Sequence, residues 1–230
     1  MTNNIVILDD EKEICDLIST LLQCEGFKVV SFYNGIDFIK YIEKNEVSLL
    51  ILDLMLPDVE GLEILKKIRQ NKFFPVLLLT AKNTDLDKIM GLSLGADDYI
   101  TKPFNPLEVV ARIKTNLRRV NLYDSQEQNN QYEIEYNGLI INKNTRKVIL
   151  LDEEIKVTPI EFEIIYYLLL NIGVVVTSEE LFKAVWKESY MDSNNTIMAH
   201  IARIREKFHE KPRDPSYIKT VWGVGYTIGK

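Results

Sequence analysis

The first half of the chain alternates short apolar runs with longer stretches in which apolar residues recur every three or four positions. Four of the runs end in a polar residue suited to handling phosphate. Ile5 to Leu8 leads into Asp9 and Asp10, Leu49 to Leu52 into Asp53, Val76 to Leu79 into Thr80, and Tyr99 to Thr101 into Lys102. Apolar runs of this length between helical segments have the pattern of buried parallel strands, and open α/β sheets bind ligands beyond the carboxyl ends of their strands. Three carboxylates, a hydroxyl and an ammonium are therefore expected to converge on one edge. Helical spacing covers Glu11 to Glu25, Gly35 to Lys44, Leu62 to Gln70, Asp85 to Leu94 and Pro106 to Arg119. A strand-helix unit repeated five times predicts an α/β fold, a doubly wound (βα)5 domain with a parallel sheet over residues 1–120.

The pattern then changes. Residues 121–131, from Asn121 to Gln131, are polar and have the composition of a linker. Residues 132–230 predict an α+β domain that opens with strand-like pieces from Tyr132 to Val157, including a hairpin around Asn142 to Thr145. Thr158-Pro159-Ile160-Glu161 and Thr177-Ser178-Glu179-Glu180 are capping boxes that start two helices. A third helix is expected from Asn194 to about His209, and Ile218 to Ile228 forms a glycine-turned hairpin. Three helices and a hairpin suggest a winged helix-turn-helix. In the third helix Ile197, Ile201, Ile204 and Phe208 form the apolar stripe. Asn195, Ala199, Ala202, Arg203 and Glu206 face the other way, flanked by Thr196, Met198, His200, Arg205 and Lys207. Small alanines permit close approach to base edges, Arg203 can reach a guanine edge or a phosphate, and Arg205 suits a phosphate. A solvated surface helix accounts for the same charges.

Composition narrows the class. With 230 residues, 46% of them hydrophobic and 27% charged, the chain has the make-up of a globular protein of one or two domains. No apolar stretch approaches the roughly 18 to 20 residues of a membrane span, and the amino terminus lacks a secretion signal, so a cytoplasmic location is expected. Cys15 and Cys24 lie about 13 Å apart on one expected helix, at about 1.5 Å per residue, too far to pair. The net charge of −6 argues against indiscriminate coating of nucleic acid. From Ser193 to Lys230, however, seven Lys and Arg face three acids, 7 − 3 = +4, which suits selective docking to a polyanion.

Convergent carboxylates at Asp9, Asp10 and Asp53 can hold Mg2+, which takes oxygen ligands and keeps several waters. With one carboxylate as nucleophile toward a phosphoryl group, Lys102 and the Thr80 hydroxyl would neutralise and position its oxygens. Acidic pairs after strands are also common helix caps, so this geometry alone leaves both readings open. The motifs go further. Ile-Leu-Asp-Asp-Glu at 7–11, Leu-Asp-Leu-Met-Leu-Pro-Asp-Val-Glu-Gly at 52–61, Leu-Leu-Thr-Ala-Lys at 78–82 and Gly-Ala-Asp-Asp-Tyr-Ile-Thr-Lys-Pro-Phe at 95–104 resemble, in order, the receiver domain of bacterial two-component response regulators. The resemblance implies that Asp53 is the phosphoacceptor from a sensor histidine kinase. Asp9, Asp10, Asp53 and the Met55 carbonyl would be the magnesium ligands, and Lys102 the phosphate clamp beside a cis bond to Pro103. Thr80 and Tyr99 would form the switch pair.

On a helical wheel for Pro106 to Arg119, Glu108, Arg112 and Arg119 gather on one side and Val109, Val110, Ile113 and Leu117 on the other. In the family this charged face is a dimer surface. The resemblance implies a homodimer on phosphorylation, with cross-subunit pairs Lys88 with Glu108, Asp98 with Arg112, and Asp97 with Arg119.

The second half, through Asn194 to Lys207 and Tyr217 to Tyr226, looks like the effector domain of OmpR/PhoB-type transcription factors. It implies promoter DNA as partner, with Thr220 and Trp222 of the hairpin joining the third helix at the interface. Trp186 to Asp192 would correspond to a loop that touches RNA polymerase in relatives. Asn195, Met198, Ala202 and Trp222 depart from the residues frequent at these positions, several members carrying a minor-groove arginine in place of Trp222. Fewer salt-sensitive contacts per subunit are therefore expected. The Ser-Asn-Asn-Thr-Ile run and Tyr-Ile-Lys-Thr-Val-Trp-Gly-Val-Gly-Tyr resemble the VanR branch, regulators of glycopeptide-resistance operons. No enzymatic activity is expected beyond self-phosphotransfer and autodephosphorylation. Two alternatives remain at this point: an aspartyl-phosphate phosphatase of haloacid dehalogenase type, which wants a carboxylate where Met55 stands, and a transcription factor independent of phosphorylation.

Overall fold

In the computed structural model, which describes residues 4–81, 85–121, 133–187, 194–211 and 213–229, the apolar runs of the first half become one sheet. Its strands are β1 (Asn4–Leu8), β2 (Lys28–Phe32), β3 (Leu49–Leu52), β4 (Val76–Thr80) and β5 (Asp98–Thr101). They lie in the order β2-β1-β3-β4-β5 with every neighbouring pair parallel. The connecting helices are α1 (Lys12–Cys24), α2 (Gly35–Lys44), α3 (Gly61–Arg69) and α4 (Asp85–Ser93), with α5 (Pro106–Asn121) closing the repeat. Ile5, Ile7, Leu49, Ile51, Leu77 and Leu79 pack with Cys15, Ile18 and Leu22 of α1 and with Val109, Ile113 and Leu117 of α5. Val6, Leu8, Leu50 and Leu52, pointing to the opposite face, are equally buried. Burial on both faces is why these strands read as unbroken apolar runs rather than alternating ones.

Strand order reverses at β1, with β2 on one side and β3 on the other, which opens a crevice at the carboxyl edge. Local features shape that crevice. A Cβ on Gly61 would sit 2.5 Å from the Asp53 carbonyl oxygen and 2.6 Å from Leu54 Cα, so only glycine lets α3 start against the strand end that carries Asp53. Asp58 seals the start of α2, its two carboxylate oxygens accepting from Gly35 N and Ile36 N at 2.9 Å each.

The chain divides into two compact units, Met1–Arg119 and Val120–Lys230. Apart from Asn121, which ends α5, the expected linker lies outside the described residues. The second unit opens with an antiparallel sheet of β6 (Glu133–Tyr136), β7 (Leu139–Asn142), β8 (Lys147–Leu150) and β9 (Glu153–Glu154). Asn142 Oδ1 accepts from Asn144 N and Thr145 N at 3.0 Å, turning the chain from β7 into β8. Then come α6 (Pro159–Leu170), β10 (Val176–Thr177), α7 (Ser178–Trp186) and α8 (Asn194–Lys207), followed by β11 (Ile218–Val221) and β12 (Gly225–Ile228). β12 pairs with both β10 and β11. Both expected capping boxes form: Thr158 with Glu161 starts α6, and Thr177 with Glu180 starts α7. One core joins Ile160, Ile164 and Leu168 of α6 to Leu181 and Trp186 of α7 and to Ile197, Ile201 and Ile204 of α8. Among the described residues no helix is long and apolar enough to cross a membrane.

Candidate functional site

The carboxyl ends of β1, β3 and β5 deliver Asp9, Asp10, Asp53 and Lys102 to one place. One oxygen from each of the three carboxylates falls within 4.8 Å of the others. Asp9 and Asp53 are buried and Asp10 is exposed, so the cluster opens on one side. Lys102 Nζ lies 2.6 Å from Asp53 Oδ2, 2.8 Å from Asp9 Oδ2 and 2.7 Å from Glu11 Oε1. Asp53 Oδ1 accepts from Met55 N at 3.0 Å. Burial drives the Asp9 carboxyl up against the lowering influence of Lys102 and Glu11 N, and the net direction is upward. Burial also works against the Lys102 charge, but the neighbouring carboxylates of Asp53, Asp9 and Glu11 outweigh it and hold the ammonium above its ordinary range.

The donor set fits a hard divalent cation. Three carboxylates supply oxygen ligands only, and buried Asp9 Oδ2 has an ion-pair neighbour in Lys102 but no well-aligned hydrogen bond. Beside the cluster, Asp10, Met55, Asp58 and Glu60 line an open depression of about 420 Å³. The Lys102–Pro103 peptide is cis. Thr80, at the end of β4, is buried, and half-buried Tyr99 stands one strand away with Lys88 Nζ 5.3 Å from its ring centroid.

On α5, Val109, Val110, Ile113 and Leu117 are buried, and the opposite side carries charge. Part of that charge is paired within one chain. Arg112 reaches Asp98 at 2.8 Å and Glu108 at 3.1 Å. Asp97 is 1% exposed and binds Arg69 at 2.9 Å and Val76 N at 2.9 Å, because β5 sets it over the end of α3. The Arg119 side chain lies outside the described residues. Arg69, which sequence reasoning missed, also donates to Gly95 O at 2.7 Å and Phe74 O at 2.8 Å. Its only sequence signal was a cation at the end of a helix, where a solvated role is the usual one.

The third helix of the second unit needs more correction. Thr196, Ala199 and His200 are buried, at 4%, 4% and 1% exposure, not turned to a base-facing surface. The cause is that α8 packs on two neighbours, α6 and α7, so its buried sector is wider than one stripe; the His200 ring stands 5.6 Å from that of Trp186. Arg203 and Lys207 close on the carboxylate of Glu161, at 3.0 and 2.5 Å. Arg205 donates to Ile218 O and to Thr220 Oγ1, tying α8 to β11. Three cations and Thr220, expected at DNA, are thus engaged inside the unit. Met198, Ala202 and Trp222 are exposed as anticipated. The Asn195 side chain lies outside the described residues, as does the expected polymerase-contact loop beyond Lys187, while Trp186 itself is buried.

Comparison with known proteins places both halves. Residues 5–114 match the family of the response regulator receiver domain, and residues 152–228 that of transcriptional regulatory protein, C terminal. The chain is 60% identical over 231 residues to "Regulatory protein VanRc" of Enterococcus gallinarum and 46% identical to "Regulatory protein VanR" of Enterococcus faecium, each covering 100% of both chains. Among solved structures it is similar to DrrB, an OmpR/PhoB homolog of Thermotoga maritima, with 34% identity, a TM-score of 0.53 and 100% of both chains covered. Neither matched family is a phosphatase, and the haloacid dehalogenase alternative has no support.

Proposed function

This chain belongs to the DNA-binding response regulators of the OmpR/PhoB type, in the VanR branch, and on that premise we propose that Asp53 is its phosphoacceptor. Such a protein is not a classical enzyme; its two halves imply a histidine kinase upstream and promoter DNA downstream. The observation that carries the assignment is Asp53 sharing one cluster with Asp9 and Asp10 while Lys102 Nζ lies 2.6 Å from its carboxylate. An Asp53 carboxylate oxygen attacks phosphorus, a P–O bond to Asp53 forms, and the bond from phosphorus to the donor breaks. When the donor is the kinase's phosphohistidine, the imidazole leaves with the bonding electron pair and recovers its proton. The product is an acyl phosphate, which water later cleaves to aspartate and phosphate.

Mg2+, held by Asp9, Asp10, Asp53 and the Met55 carbonyl, would supply neutralisation of charge on the phosphoryl oxygens. Lys102 would hold the phosphoryl group, and Thr80 and Tyr99 would answer its arrival. Phosphorylation then favours a homodimer through the α4-β5-α5 face, where Lys88, Asp98, Glu108 and Arg112 supply charge. The dimer sets two α8 helices on promoter DNA and engages RNA polymerase in the cytoplasm, and the regulated genes include those of glycopeptide resistance. Full-length identity to the two VanR-named relatives supports that last step.

Treating the protein with acetyl phosphate and Mg2+ and locating the added phosphoryl mass by peptide mass spectrometry tests the core of the proposal. The expected result is label on Asp53 and none on the Asp53→Asn variant. Label that survives in Asp53→Asn, or that requires no Mg2+, would overturn it.

A further inference from the structure

The loop that follows Asp53 is secured at two levels. At its base Met55 N donates to Asp53 Oδ1 at 3.0 Å, and Gly61 N donates to Leu54 O at 3.1 Å, which closes residues 54–60 into a loop between β3 and α3. At its tip Asp58 reaches away from its own segment. Its two carboxylate oxygens accept from Gly35 N and Ile36 N, 23 and 22 residues distant, at 2.9 Å each.

The first N–H groups of a helix have no partner within it, and the positive end of the helix dipole favours an anion there. Asn34, the residue before α2, supplies a local cap through Oδ1, which accepts from Asp37 N at 2.9 Å. Asp58 takes the two leading donors that this cap leaves. The approach is close as well as polar, since a Cβ on Gly35 would lie 3.2 Å from Val59 Cβ and 2.6 Å from Ile64 Cδ1. Asp58 is therefore a strut between two loops, and the loop it steadies lines the same open depression as Asp10.

We propose that Asp58 is a positioning residue for the divalent cation: by tying the loop after β3 to the head of α2, it sets the main chain that carries the Met55 carbonyl before any cation arrives. The inference rests on the proposed ligand set of Asp9, Asp10, Asp53 and Met55, and it names a residue outside that set. Asp9, Asp10 and Asp53 follow directly on β1 and β3, whereas Met55 lies out on the loop. A cation that must order its own ligand binds more weakly than one that meets a ligand already in place. Groups that orient metal ligands without touching the metal are worth about 10- to 100-fold in affinity. Asp58 is exposed and the Val59 approach to Gly35 persists without it, so the low end of that range applies.

The test titrates the full chain, without a phosphodonor, with Mn2+, which shares the octahedral oxygen preference of Mg2+. Binding is read from the loss of the free-ion electron paramagnetic resonance signal, and circular dichroism melts establish that each variant is folded at the assay temperature. Asp58→Ala is expected to bind Mn2+ roughly 10-fold more weakly than wild type. Asp58→Asn, which keeps one accepting oxygen, should fall between the two. Asn34→Ala strips the local cap of α2 without touching the loop and should stay within about twofold of wild type. Acetyl phosphate labelling gives a second reading: the deficit of Asp58→Ala should vanish at saturating Mg2+, because the loss lies in cation affinity and not in phosphoryl transfer. Asp58→Ala within twofold of wild type, an equal loss in Asn34→Ala, or labelling that stays slow at saturating Mg2+ would each overturn the inference while leaving the ligand set intact. Mn2+ binding that Asp10→Asn leaves unchanged would overturn the ligand set together with it.

Discussion

Replacing Glu161 with glutamine keeps the shape of the side chain and withdraws the charge that two cations share. The carboxylate is 0% exposed and accepts from Thr158 N at 2.7 Å, Arg203 Nε at 3.0 Å and Lys207 Nζ at 2.5 Å. Removing one partner of a buried ion pair costs about 3–5 kcal/mol. The Arg203 and Lys207 side chains keep 13% and 19% of their exposure, so water relieves part of that cost. We expect about 2–3 kcal/mol for Glu161→Gln, and about 1 kcal/mol more for Glu161→Ala, which also loses the helix cap. Both tryptophans belong to the second unit, and Trp186 is buried with its ring 4.8 Å from Phe182, so fluorescence during urea unfolding follows this half. At a slope of about 1.5 kcal/mol per molar, the midpoint of Glu161→Gln should fall by roughly 1.3–2 M.

Acid supplies the sign. Burial works against the Glu161 charge, but Lys207 and Arg203 outweigh it and hold the carboxyl below its ordinary range. A carboxyl whose folded pKa is depressed contributes stability that is present above its unfolded value of about 4.3 and lost as pH falls through the folded value. The difference between wild type and Glu161→Gln is therefore full at neutral pH and shrinks below about pH 4. A difference below about 0.5 kcal/mol at pH 7, the range of ordinary surface substitutions, or one that grows in acid, would refute this account of the node.

Two further substitutions address the first unit. Arg69→Ala strands Asp97, which is 1% exposed, and should lower the stability of that unit by about 3–5 kcal/mol in urea unfolding followed by circular dichroism. Arg69→Lys should restore less than half of the loss, since one ammonium cannot reach Asp97, Gly95 O and Phe74 O together; full rescue would contradict this. Gly61→Ala drives a methyl against the backbone at Asp53 and should cost about 1–3 kcal/mol while slowing acetyl phosphate labelling, so unchanged melting and labelling would contradict the close approach.

Much of the fold is written in local pattern. Unbroken runs such as Leu49 to Leu52 are buried on both faces of a parallel sheet, and the two capping boxes mark the starts of α6 and α7 where they were expected. The convergence of Asp9, Asp10 and Asp53 was legible because strand ends in such a sheet share an edge. What was not legible depends on partners distant in sequence. A helical wheel assumes one buried side, whereas α8 lies against two helices and therefore hides Thr196, Ala199 and His200 as well. The positive charge toward the end of the chain suggested a surface for polyanions, but nothing local tells that Glu161, 42 and 46 residues away, claims Arg203 and Lys207. Arg69 and Asp97, 28 residues apart, were hidden by the same kind of separation.

The hydrogen bonds from Arg205 to Ile218 O and Thr220 Oγ1 make helix and hairpin behave as the two jaws of a set calliper. With the gauge locked by main-chain and hydroxyl acceptors behind the working surface, residues at the jaw tips are free to vary without disturbing the span. Side chains at 198, 202 and 222, each already open to solvent, can be exchanged while the contacts that space helix and hairpin stay untouched.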